Sequence, residues 1–128
     1  MDERDIQIAE KFGILEKMRK LEADLLGIER VVKVEFDLNG WLNYNRTINH
    51  VIIIPKYDVP MDLPWDDYWA AREQIVNGVC DIAAKYDLYD SGDRIEDMGQ
   101  HFYIVRSCGQ SWMELAEKSG AWATTEAE

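Results

Sequence analysis

The sequence predicts an α+β domain, in which a small, mostly antiparallel sheet of three or four strands packs with two long helices and a short C-terminal helix. Three observations favour this class. Apolar residues recur at helical spacing in two long segments, strict alternation marks one strand, and an unbroken aliphatic run marks another. Because no internal repeat or break in composition divides these elements, we expect one sheet covered by helices.

The composition supports a single domain. The chain has 128 residues, of which 47% are hydrophobic and 30% are charged, and a chain of this size buries one core without a metal or disulfide. Residues 1–120 carry the regular patterns, whereas residues 121–128 show no periodicity. We therefore predict one domain over 1–120 and a frayed tail over 121–128.

The first helix is predicted from about Asp5 to Leu26. An apolar stripe with alternating spacings of four and three residues runs along it: Ile14, Met18, Leu21, Leu25, Ile28. Gly27 suits the C-terminal end of a helix. The pattern indicates one continuous helix whose stripe faces the core.

Two strands are predicted next. Val31 to Leu38 alternates, and we expect a half-buried strand with these residues on its inner face: Val32, Val34, Phe36, Leu38. Asn39-Gly40 predicts a tight hairpin turn, after which residues 41–45 form either a short return strand or an exposed loop. His50 to Ile54 is aliphatic throughout, which indicates a central strand that Pro55 would end.

A second long helix is predicted from Trp65 to about Tyr86, with Pro64 in its first turn. Its predicted core stripe consists of Trp65, Trp69, Val76, Val79, Ala83 and Tyr86. Arg72 interrupts this stripe, and three roles remain open for its guanidinium: to reach solvent at the edge of the core, to pair with a buried acid, or to hold an anionic ligand.

The C-terminal part contains one more strand and a short helix. His101 to Ser107 alternates around Phe102 and Ile104, as expected of a strand. Ser111 and Glu114 match the capping box, which predicts Ser111 at the start of a helix that ends near Ser119.

Charge is the most informative functional feature. The chain has 25 acidic and 14 basic residues and a formal net charge of −11. Residues 57–97 hold eleven acids against three bases, so this stretch alone carries −8. Such a concentration attracts basic partners and repels nucleic acid, although acidity also serves solubility alone.

The candidate protein-binding residues lie in this acidic stretch. They are Asp66, Asp67, Asp87, Tyr89, Asp90, Asp93, Glu96 and Asp97. The acids that follow Tyr86 do not have the spacing of a calcium-binding loop, and Arg94 stands among them. We therefore predict no metal and no cofactor.

No catalytic motif is present. Cys108 with His101 as its base would be a nucleophilic pair, but the two residues are predicted at opposite ends of one strand, about 23 Å apart at ~3.3 Å per residue. The chain also lacks a phosphate-binding loop, a nucleophile elbow and a zinc-protease motif. The sequence therefore predicts a protein that is not an enzyme.

The expected location is the cytoplasm. Two cysteines are too few for a disulfide framework, and the acidic N-terminus does not resemble a signal peptide. The longest aliphatic run, Val51 to Ile54, is far shorter than the ~20 residues that cross a bilayer.

These observations predict an acidic interaction protein, of the kind found among accessory or inhibitor proteins of phages and mobile elements. In this hypothesis the face formed by residues 57–97 docks on a basic, nucleic-acid-binding surface of another protein, with carboxylates standing where phosphates would be. Two alternatives stay open. One is a small module that binds an anionic ligand through Arg72, and the other is a structural homodimer joined through a sheet edge or the first helix.

Overall fold

The fold is α+β, which confirms the predicted class. The computed structural model describes residues 1–38, 50–89 and 101–119, together with the backbone of 95–97. The elements in chain order are α1 (Glu3–Lys11), α2 (Leu15–Leu26), β1 (Val31–Asp37), β2 (His50–Tyr57), α3 (Trp65–Lys85), β3 (Leu88–Tyr89), β4 (Ile95–Asp97), β5 (Phe102–Cys108) and α4 (Gln110–Lys118). The predicted turn at Asn39-Gly40, the 41–45 segment and the 121–128 tail lie outside the described residues.

The sheet is antiparallel in every pairing that the described residues make. Its strand order is β1-β2-β5-β3, and β4 also pairs with β5. The predicted central position of β2 is therefore confirmed. The prediction that Pro55 ends this strand is wrong, because β2 continues to Tyr57. Its pairing with β5 runs as far as Ile53 and resumes at Lys56, so the gap falls where a proline has no N–H to donate.

One face of the sheet joins the helices in the main core. This cluster combines strand and helix residues, among them Phe36, Val51, Ile53, Ile104, Met18, Leu21, Leu25, Ile75, Val79 and Trp112. On the opposite face Ile52, Ile54 and Val105 form a smaller cluster beside Tyr103. The helices and strands β1, β2 and β5 thus share one core, and α3 covers part of it.

The predicted single helix from Asp5 to Leu26 is wrong, because the chain breaks between α1 and α2. Gly13 at the break has a φ of 70°, a left-handed conformation that glycine adopts without strain. A Cβ at this position would lie 3.1 Å from the Leu115 carbonyl oxygen. The glycine therefore ends α1 and lets α4 approach the break closely.

Strand β1 is irregular at its start. Its pairing with β2 shifts between Val31 and Lys33, and Val32, which was predicted to face the core, is 63% exposed. The extra residue turns Val32 outward and leaves Val31 buried. Among the described strands β1 stands at one end of the order, and a bulge and an exposed lysine are features that hinder further pairing along a strand.

A buried carboxyl joins α1 to the end of β1. Asp5 is 4% exposed, and its Oδ1 accepts a hydrogen bond of 3.4 Å from the Leu38 N–H. Asp2 caps α1 by accepting from the Asp5 N–H at 2.9 Å. Burial, with the nearby Asp2 carboxylate as the next cause, raises the pKa of Asp5 to about 6. This carboxyl therefore titrates close to neutral pH.

Within the described residues, no helix combines the length and apolar character needed to cross a membrane.

Candidate protein-binding surface

The first two turns of α3 present tryptophan side chains to solvent. Trp65 is 72% exposed and Trp69 is 43% exposed, so the prediction that both belong to the core is wrong. The buried side of α3 carries Arg72, Ile75, Val79 and Ala83 instead. Arg72, Val79 and Ala83 lie on the predicted stripe and are buried, so the prediction fails at the tryptophans of the first two turns and not in the phase of the helix.

Arg72 is enclosed by aromatic rings. Its guanidinium carbon lies 4.7 Å from the ring centroid of Trp69, 5.3 Å from those of Tyr68 and Phe102, and 5.7 Å from that of Tyr57. Aromatic faces attract a cation at such distances, and the attraction grows when water is excluded. Tyr57 also stacks on Phe102 at 5.0 Å between centroids. The guanidinium therefore ties α3 to the ends of β2 and β5.

The burial of Arg72 excludes one of its three predicted roles. At 5% exposure it does not reach solvent, so that expectation is wrong. Burial raises the pKa of Tyr57, while a hydrogen bond with Arg72 opposes that rise. Binding of an anionic ligand by Arg72 stays a prediction.

The exposed tryptophans contact neighbouring aromatic rings on α3. Trp69 contacts Tyr68 edge to face, with 6.0 Å between centroids and 85° between planes. Trp65 contacts Trp69 at 5.4 Å and 68°. Such contacts favour one arrangement of the rings by about 0.5–1.5 kcal/mol each beyond the area that they bury. The two rings consequently form a preorganised platform that loses little side-chain entropy on binding.

Exposed acidic residues neighbour these tryptophans in the sequence. Asp66 and Asp67 follow Trp65 in the first turn of α3, where the helix dipole favours negative charge, and both are exposed as a docking role requires. Asp62 lies in the turn that precedes the helix and is also exposed. We call Trp65, Trp69, Asp62, Asp66 and Asp67 the tryptophan–acid surface.

No basic side chain neutralises these carboxylates within the described part of the chain. The ion pairs that the described residues form involve Glu16, Glu22 and Glu35. In the neighbouring sequence Arg72 is buried and Lys85 lies in the last turn of α3. Among the described residues, therefore, none offsets the negative charge of the tryptophan–acid surface.

Asp87 has a different task, because its carboxylate caps α4. Its Oδ2 accepts hydrogen bonds from the Ser111 N–H at 3.0 Å and the Ser111 hydroxyl at 2.8 Å. These bonds, the backbone bond first, hold the pKa of Asp87 below its usual range. The N-cap residue itself is Gly109, and a Cβ there would meet the Asp87 carboxylate. The predicted capping box of Ser111 and Glu114 is therefore wrong, since Asp87 supplies the cap from outside the helix.

The other candidates follow α3. Tyr89 lies on β3 and is 53% exposed. Glu96 and Asp97 lie on β4, where their backbones pair with Tyr103 and Phe102, and their side chains are outside the described residues. Asp90 and Asp93 also lie outside the described residues. The structure thus groups Asp66 and Asp67 with the tryptophans, and separates Asp87 from them as part of the fold.

The cysteine and histidine candidates do not meet. Cys108 is buried at the end of β5, and burial raises the pKa of its thiol to about 12. His101 lies before the other end of the same strand and pairs with Lys56. Since the thiolate is the nucleophile, Cys108 stays protonated and unreactive at neutral pH. Among the residues described, no cluster of His, Cys, Asp and Glu side chains could hold a metal ion.

The chain matches no protein-family model, no curated protein and no solved structure. Its surface chemistry is consequently the ground on which a function can be proposed.

Proposed function

We propose that this protein is a non-enzymatic interaction protein that docks the tryptophan–acid surface on a basic surface of another protein. One observation carries the proposal: two preorganised tryptophans stand exposed among carboxylates that make no ion pair within the described residues. Tryptophan is enriched among the residues that dominate binding energy at interfaces. Exposed carboxylates around such an anchor select a partner of opposite charge.

The apolar and charged parts of this surface have separate roles. Burial of Trp65 in a fitting pocket would contribute about 2–4 kcal/mol, the range of an interface hot spot. The carboxylates would chiefly raise the association rate, which then falls as salt screens them. The proposed partner surface is a nucleic-acid-binding groove, because such a groove is already arranged to accept a row of negative charges. In that case the protein acts as an inhibitor that competes with the nucleic acid.

The decisive experiment compares two charge variants. Partners captured on the immobilised protein are identified, and the affinity of the recovered basic protein is measured at several salt concentrations. In one variant Asp62, Asp66 and Asp67 become asparagine. In the matched control Glu3, Glu10 and Glu29, which are exposed elsewhere, become glutamine.

We expect the asparagine variant to lose affinity and part of its salt dependence, and the glutamine control to keep both. Trp65→Ala should weaken binding without changing the salt dependence, since it removes no charge. Equal losses in both charge variants would mean that bulk acidity, and not this surface, drives the contact. If no basic protein is recovered, the proposed function fails.

The homodimer hypothesis has a separate test. The bulge in β1 and the exposed Lys33 disfavour dimerisation through β1, which stands at one end of the described strand order. Sedimentation at micromolar concentration distinguishes a monomer, as the docking proposal expects, from a stable dimer.

A further inference from the structure

One tryptophan ring of α3, that of Trp69, already binds a guanidinium inside the molecule. The Trp69 centroid lies 4.7 Å from the guanidinium carbon of Arg72, closer than the other three rings that enclose it. Trp65 lies against Trp69 and is 72% exposed, so most of its surface is open to a second cation. Tryptophan is the aromatic side chain that attracts cations most strongly.

We infer that the tryptophan–acid surface recognises an arginine side chain of its partner, whose guanidinium stacks on Trp65 while carboxylates of Asp62, Asp66 or Asp67 accept its N–H groups. This inference rests on the proposed function and names the chemistry of the partner for that same surface. The proposed partner is a basic protein segment, and the surface prefers arginine over lysine of equal charge.

Two properties of guanidinium favour arginine over lysine at this surface. It is planar and weakly hydrated, so stacking on a ring costs little desolvation, whereas an ammonium group holds its water tightly. It also presents a fork of donors that can bind a carboxylate through two parallel hydrogen bonds. Asp66 lies three residues before Trp69 on α3, and side chains three positions apart are neighbours on a helix, so a carboxylate and a ring stand side by side on this surface.

Nucleic acid is a poorer occupant of the same rings. Bases stack on exposed tryptophans in proteins that bind single strands, but those proteins surround the rings with basic residues. Here the rings lie in a stretch of charge −8, so a phosphate backbone would be repelled. Charge complementarity therefore selects a cationic partner.

The test uses a pair of peptides and one exposed ring. A glycine-spaced arginine peptide and its lysine counterpart of equal charge, each with a fluorescent label, are titrated with the full chain and followed by anisotropy. We expect the arginine peptide to bind about two- to fivefold more tightly, the factor that one exposed cation–π contact provides. Trp65→Ala should remove this preference and leave the affinity for the lysine peptide within about twofold.

Leu26→Ala is the matched control, because Leu26 is also an exposed large apolar residue on a helix but lies on α2. It should keep the preference for arginine. Circular dichroism verifies that each variant is folded, and Trp65→Gln replaces Trp65→Ala if the latter is not.

The outcomes separate this inference from the proposal on which it rests. Equal binding of both peptides, abolished by Asp62, Asp66 and Asp67 to asparagine, would overturn the arginine inference and leave acidic docking intact. A preference that Trp65→Ala does not alter would also overturn it. If neither peptide binds, or if neutralising the three acids changes nothing, both the inference and the proposed function fail.

Discussion

Replacement of Asp5 by asparagine should stabilise the fold at pH 8, and should do so less at pH 5. The pKa of the buried Asp5 carboxyl is raised from 3.8 to about 6, so folding favours its protonated form. The stability that protonation contributes is complete below about pH 4 and is lost as the pH rises through about 6. One pKa unit corresponds to 1.36 kcal/mol, so ionisation of Asp5 lowers the free energy of unfolding at pH 8 by about 3 kcal/mol relative to the protonated form.

Asparagine resembles the protonated carboxyl. Its carbonyl oxygen can accept from the Leu38 N–H as Asp5 does, and it carries no charge to bury beside Asp2 and Asp37. We therefore expect a gain of up to about 3 kcal/mol at pH 8. At pH 5 the wild-type carboxyl already holds a proton in the folded state, so the gain should fall by about 1.4 kcal/mol.

Urea unfolding followed by tryptophan fluorescence at the two pH values measures this difference. Glu3→Gln serves as control, because it removes an exposed carboxylate from the same helical turn. The control should change the free energy of unfolding equally at both pH values. A gain for Asp5→Asn that is the same at pH 5 and pH 8, or a loss at pH 8, would refute the reasoning.

Substitutions at four further positions test the packing. Asp87→Ala removes the cap of α4 and should cost about 1–2 kcal/mol in urea unfolding, whereas Asp87→Asn, which can still accept from Ser111, should cost less. Arg72→Lys keeps the charge but loses the planar stacking, and we expect a loss of about 1–2 kcal/mol; an unchanged midpoint would show that the rings do not hold the guanidinium. Gly13→Ala should lower stability by about 1 kcal/mol or more, because Gly13 has a positive φ. Gly78→Ala, inside α3, should raise stability by about 0.5–1 kcal/mol. Calorimetry would detect the decrease in melting temperature for the first and the increase for the second.

Local pattern predicted the inward-facing residues of the strands wherever no extra residue shifted the pairing between strands. Alternation placed Val34, Phe36 and Leu38 correctly, because a half-buried strand repeats every two residues. It failed at Val32, since a bulge depends on the pairing with β2 and has no local signature there. The break at Gly13 was missed because Ile8 and Phe12 continue the apolar pattern on the N-terminal side of Ile14.

The candidate surface was misjudged in the first two turns of α3. The prediction assigned Trp65 and Trp69 to the core from their helical spacing, and it treated Arg72 as an interruption. The phase of the stripe was right, since Val79 and Ala83 are buried, and enclosure by four rings makes burial of the Arg72 guanidinium favourable. An arginine in the midst of a stripe rich in aromatic residues was the available signal.

Because Asp87 supplies its cap, the stability of α4 depends on a residue far away in the sequence. A nine-residue helix is marginal by itself in water, and here the acceptor for its first turn comes from a residue 24 positions earlier. Its Trp112 indole also donates to the Tyr86 carbonyl oxygen at 2.6 Å. We therefore expect the first amide protons of α4 to exchange with solvent in the same cooperative opening as the end of α3.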